Sequence, residues 1–151
     1  MNADYVSEIP EREGGRVLVT CQTCHRAAQR PPRPLEETLY ETAAAKGVPA
    51  ALEQLRELRE QFYGSGLFRE RTLNVVGRRL LDNKRPDDAL TVFRANLELY
   101  PRSVNALFTI ARIGMVRGDR ALAETYFRKV LEVDPKNGAA QQALDALKAR
   151  Q

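Results

Sequence analysis

Sliding the chain 34 residues along itself superimposes Leu73 on Leu107, Val76 on Ile110, Gly77 on Ala111, Ala89 on Ala123, Phe93 on Phe127, Leu97 on Leu131 and Pro101 on Pro135. A repeat of that length means one supersecondary unit used more than once, each copy burying its apolar face only against its neighbours. Within each unit the apolar positions recur at helical spacing, so the unit is a helix, a turn and a second helix. The small residues at 77 and 111, and at 89 and 123, let two antiparallel helices approach closely. Phe93 or Phe127 then fills the space between them, and the proline blocks continuation of the second helix. The two copies span about residues 70–103 and 104–137.

Helical periodicity also governs the flanks. Leu35, Leu39 and Ala43 recur four apart up to a stop at Lys46-Gly47, and Leu52, Leu55, Leu58 and Phe62 repeat up to Gly64-Ser65-Gly66. This first hairpin is expected to act as a degenerate third unit, since two repeats are fewer than an array normally needs. Residues 138–150 are expected to form a capping helix, with Ala139, Ala143, Leu144 and Leu147 on one face and Gln141, Gln142 and Lys148 on the other.

Before Leu35 the character changes. Met1 to Ile9 reads as the last turns of a helix stopped by Pro10, and Arg16 to Thr20 as a short extended arm. Arg26 to Pro34, RAAQRPPRP, is a stiff polyproline-like linker. Between arm and linker lies Cys21-Gln22-Thr23-Cys24-His25, which gathers both cysteines and the only histidine of the chain. Chance would place them so on the order of once in ten thousand. The C-x-x-C-H spacing is that of covalent haem attachment, where two thiols form thioethers with the porphyrin and the adjacent imidazole binds iron from one face. The alternatives are a redox dithiol, for which the surrounding sequence offers no βαβ setting, and a zinc site, which wants about four ligands where three are present.

Charge and composition narrow the rest. The formal net charge of +4 is a modest excess, carried mostly by arginine and interspersed along amphipathic helices. It suits a solvated face, haem propionates, an acidic redox partner or a membrane surface. Arg69, Arg71, Arg78 and Arg79 form a basic strip without interleaved aromatics, so nucleic-acid binding is not expected. No apolar run of membrane-spanning length occurs, and the N-terminus shows no secretory leader. Asp87, Asp88, Glu124 and Glu132 are expected on solvated faces or caps, and no nucleophile, phosphate-loop or zinc-protease motif appears, so no enzymatic activity is expected. Of the two methionines, Met115 is expected to fill the core beside Ile113 and Val116.

These residues carry two resemblances. Asn2 to Pro34, NADYVSEIPEREGGRVLVTCQTCHRAAQRPPRP, resembles the last haem-binding unit of the photosynthetic reaction-centre cytochrome c subunit family. Leu35 to Gln151 resembles tetratricopeptide proteins, with Leu73 or Leu107 where that family usually has Trp, Leu80 or Gly114 where it has Tyr, and Asn96 replacing a small residue. The first resemblance implies one haem c bound through Cys21 and Cys24, His25 as proximal ligand, and a methionine on the preceding helix as sixth ligand. The only methionine upstream is Met1; without it the iron would be five-coordinate or take water. The family also carries earlier haem motifs, so the chain is expected to be the C-terminal part of a longer cytochrome.

The expected architecture is therefore all-α: a tetratricopeptide-like helical hairpin solenoid of about 6–7 helices over residues 35–151, preceded by a small, mostly irregular haem-binding segment over residues 1–34. The expected function is one-electron transfer by haem c, with the helical domain docking a redox partner or another protein. The alternative is an interaction scaffold with a vestigial haem segment. Haem c attachment takes place outside the bacterial cytoplasm, so a periplasmic or otherwise exported location is expected.

Overall fold

The computed structural model describes residues 34–62 and 68–149. The chain divides into two units, Met1–Pro34 and Leu35–Gln151, and all the described residues but Pro34 belong to the second. Among the described residues there are seven helices and no strand: α1 (Leu35–Lys46), α2 (Val48–Gln61), α3 (Glu70–Asp82), α4 (Pro86–Leu99), α5 (Val104–Arg117), α6 (Arg120–Val133) and α7 (Gly138–Lys148). The described residues are thus all-helical, an arrangement compatible with a helical solenoid. The sequence period reappears in the helix starts, for α3, α5 and α7 begin at 70, 104 and 138, and α4 and α6 at 86 and 120.

Both repeated hairpins turn in the same way. Arg85 N–H donates to the Leu80 carbonyl and Asp119 N–H to the Gly114 carbonyl, each at 2.9 Å, a six-to-one closure of the helix end. That closure needs a left-handed residue, supplied by Lys84 at φ 58° in the first copy and Gly118 at φ 72° in the second. Helices α4 and α6 both end two residues before their proline, at Leu99 and Val133. The helix starts are less alike: Ser103, Asp119 and Asn137 accept from the backbone N–H three residues on, whereas Arg69 and Arg85 provide no side-chain cap.

Close approach of the paired helices rests on glycine. A Cβ on Gly77 would lie 2.7–3.0 Å from three carbons of the Phe93 ring, which is itself wholly buried. On Gly114 it would meet the backbone nitrogen of Ala123 at 2.8 Å. The core forms two clusters that share α5: Ala106, Ile110 and Ile113 join the cluster around Phe93, while Leu107 and Ala111 join the one around Phe127. Phe127 is capped edge-on by Phe108, with ring centroids 5.4 Å apart. Helix α5 is therefore buried on two sides, by α4 and by α6.

The first hairpin docks differently. Its turn is the single residue Gly47, at φ 90°, and α1 meets α3 while α2 meets α4, whereas the next hairpin joins through α4 against α5. The buried line of α2 is Val48, Ala51 and Leu55, so of the apolar series read from the sequence only Leu55 is fully enclosed.

Two placements differ from expectation. Met115 is not core filler: it is 42% exposed, and Val116 beside it 87%. The neighbours of α5 engage Ile113 on one side and Gly114 on the other, which leaves Met115 turned outward near the helix end. In α7 the buried line is Ala140 and Leu144, and Ala139 is exposed, because α6 contacts the helix one residue further round.

Asn96, which breaks the repeat, is fully buried and holds a polar seam. Its Nδ2 donates to Asn74 Oδ1 at 2.9 Å and to the Glu70 carbonyl at 3.3 Å, while Ser103 Oγ donates to Glu70 Oε1 at 2.6 Å. One period later the equivalents of Glu70, Asn74 and Asn96 are Val104, Phe108 and Val130, an apolar set. Replacing Asn96 by valine leaves Asn74 Oδ1 buried and unpaired, and is expected to cost about 1–3 kcal/mol in urea unfolding. Adding Asn74→Leu should recover part of that loss; a double variant that loses the sum of two independent costs contradicts the seam.

Candidate functional site

Two places in the chain bear on function. The first is the C-x-x-C-H set expected to attach haem. Cys21, Cys24 and His25, together with Met1, the arm and the linker up to Arg33, lie outside the described residues. Among the described residues no three His, Cys, Asp or Glu side chains come together as a metal site. Met115 stands in α5 and shares no described cluster of donors.

The second place is a groove on the first helices of the repeated hairpins. It encloses about 690 Å³ between α3 and α5, floored by Leu81, Phe108 and Ile113 and edged by Arg78, Asp82, Arg112 and Val116. Arg78 and Asn105 also line the adjoining recess that continues to Arg71, Asn74 and Val75. The helical repeat explains the alignment. Residues 71, 74, 75, 78 and 82 share one side of α3, and 105, 108, 109, 112 and 116 share one side of α5. Arg78 Nη2 donates to Asn105 Oδ1 at 2.9 Å, so a neutral amide rather than a carboxylate positions that guanidinium.

The basic strip read from the sequence is divided by the fold. Arg79, one residue beyond Arg78, points to another side of the helix and stacks on the Tyr40 ring at 4.2 Å from its centroid, tying α3 to α1. Arg69, Arg71 and Arg78 line the groove and its recess. The groove was not legible as a site because its parts come from helices 34 residues apart and no single stretch carries them. No family model matches the chain, and no curated protein matches it.

The acidic residues behave largely as surface groups. Asp87 pairs with Arg117 at 2.6 Å across the hairpin ends, and Asp88 with Arg85 at 2.7 Å. Glu124 is more enclosed than expected, at 21% side-chain exposure, and bridges Arg120 and Arg128 along α6 at 2.9 and 3.0 Å. The hydrogen bond from Arg120 holds the Glu124 carboxyl below the usual carboxylate range, against partial desolvation, with Arg120 and Arg128 charges adding to the effect. A carboxylate paired with two guanidiniums four residues to either side braces the helix. No described helix is long and apolar enough to cross a membrane.

Proposed function

We propose that the chain is a c-type cytochrome unit that transfers single electrons through one covalent haem and docks a protein partner through its helical hairpins. The observation that carries the haem half is the C-x-x-C-H segment, where Cys21 and Cys24 would form the thioethers and His25 would bind iron from one face. The donor set fits the group: two thiols and an imidazole adjacent in sequence. A bound haem supplies one-electron chemistry. The chain's own residues fix the porphyrin at two points and, through the identity of the sixth ligand, set its potential. Met1 is the candidate for that position, and an exported location is part of the same reading.

The docking half rests on the described unit. Its helices recur in hairpins with a 34-residue period, the resemblance to tetratricopeptide proteins implies a docking role for such hairpins, and they present a groove along α3 and α5. The same groove supports the second reading, a protein-interaction scaffold that needs no cofactor.

Protein produced in a haem-attaching host tests the proposal. The expected result is an intact mass raised by one haem, with a pyridine haemochrome spectrum of the two-thioether type, and loss of both on Cys21→Ala with Cys24→Ala. An unmodified mass with two titratable thiols from that host overturns the cytochrome reading and leaves the scaffold.

A further inference from the structure

The turn between α6 and α7 holds the only Asn-Gly pair of the sequence, Asn137-Gly138. Asparagine before glycine is chemically fragile, because a backbone nitrogen with no Cβ beside it can swing onto the neighbouring carboxamide. The fold itself does not require glycine here: Gly138 is not among the positive-φ residues, and a Cβ on it would meet nothing within 4 Å. The attacking nitrogen is free. Gly138 is the first residue of α7, where the N–H has no acceptor within the helix, and it donates to no other group among the described residues. The carboxamide, by contrast, is held. Asn137 Oδ1 accepts from Ala140 N–H and Nδ2 donates to Asp134 Oδ2, each at 3.1 Å, while the Asn137 carbonyl accepts from Gln141 N–H at 3.1 Å. Ring closure brings the Gly138 nitrogen beneath Asn137 Cβ, a rotation of the Cα–C bond far from the observed ψ of 88°. The cap and the first turn of α7 must therefore open before the two groups can react.

We infer that Asn137 is a spontaneous modification site, deamidated through Gly138 whenever the first turn of α7 opens. The Gly138 nitrogen gives up its proton and bonds to Asn137 Cγ, the Cγ–Nδ2 bond breaks, and Nδ2 leaves as ammonia. Water then opens the five-membered imide at one of its two carbonyls, giving aspartate or isoaspartate; water is the only co-reactant. Both products alter the cap. Aspartate loses the Nδ2–H donor and sets a second carboxylate against Asp134. Isoaspartate adds a methylene to the backbone, so that the oxygen that capped Ala140 becomes part of the main chain. Helix α7 covers the Phe127 cluster through Ala140 and Leu144, and modification loosens that cover. Each product also adds a negative charge to the recess that Asn137 lines with Arg102 and Phe108.

The test ages the full chain at neutral pH in heavy-oxygen water and maps its peptides by mass spectrometry, with isoaspartate counted by enzymatic methylation. The peptide containing Asn137 is expected to become the acid with one heavy oxygen, while Asn83, exposed but followed by Lys84, stays an amide. Gly138→Ala should slow the reaction about tenfold or more, since a Cβ crowds the attacking nitrogen. Opening of α7 sets the native rate, so the same chain in urea should react about tenfold faster or more. Leu144→Ala, which weakens the docking of α7, and Asp134→Ala, which frees Nδ2 without touching the core, should each speed the native reaction several-fold. Amide exchange at Ala140 and Gln141 should be faster in the modified fraction than in the unmodified one. Four results each overturn the assignment: no conversion at Asn137 in the native chain, equal conversion at Asn83, indifference to Gly138→Ala, or equal rates in native buffer and urea. Neither haem attachment nor docking enters these measurements.

Discussion

Phe93→Ala is expected to remove about 3–5 kcal/mol from the stability of the helical unit, the range for deleting a fully enclosed phenylalanine. The ring is 0% exposed and lies against Gly77, which has no side chain to fill the space the ring would leave. Its cluster joins the first hairpin to the second and reaches α5 through Ile110 and Ile113. A cavity there should therefore also loosen the coupling between hairpins, and stacked repeats unfold together only while nearest-neighbour contacts hold them. The expected urea curve, followed by far-ultraviolet circular dichroism, shifts to lower midpoint and broadens. Phe127→Ala should cost a similar amount in the second cluster but broaden the curve less, because beyond it lies only α7. A loss below about 1 kcal/mol at Phe93 would contradict the packing described.

The second large effect concerns the glycines at the helix crossings, and its sign depends on background. Alanine is favoured over glycine in a helix by about 1 kcal/mol, yet Gly77→Ala is expected to destabilise by about 1–3 kcal/mol because the new methyl collides with Phe93. In a Phe93→Leu background the obstruction is gone, and the same substitution should become neutral or stabilising, a coupling between contacting residues that a double-mutant cycle measures. Gly114→Ala should show no such rescue. Its methyl meets the Ala123 nitrogen and the Asp119 carbonyl, so α6 itself must move away. Additive effects of Gly77→Ala and Phe93→Leu would mean that the two residues do not share the contact.

Much of the fold could be read from the residues because its causes are local or periodic. The 34-residue recurrence, the helical spacing of leucines and alanines, the prolines two residues past α4 and α6, and the break at Gly47 act through backbone sterics and one apolar face. The seam around Asn96 escaped that reading. A lone asparagine among apolar neighbours looks like a defect until its partners Asn74 and Glu70, 22 and 26 residues away, are brought beside it. Met115 was misplaced for a related reason: apolar character marks a residue as suited to the core, but which side of α5 is covered depends on where α4 and α6 sit.

By itself, then, the sequence determined the helical class, the hairpin unit and its period, and it supplied the C-x-x-C-H spacing on which the proposed haem attachment rests, for each depends on residue types at fixed short spacing. Tertiary structure decided what comes from distant parts of the chain. It turned Arg78 toward the groove with Asn105 and Arg79 toward Tyr40, although the two are adjacent, because neighbours in a helix point about 100° apart. It gave Gly77 a phenylalanine and Gly114 a backbone to accommodate, and it assembled arginines from two helices into one surface. Such a surface has no sequence signature, since its members share a neighbourhood only after the hairpins stack.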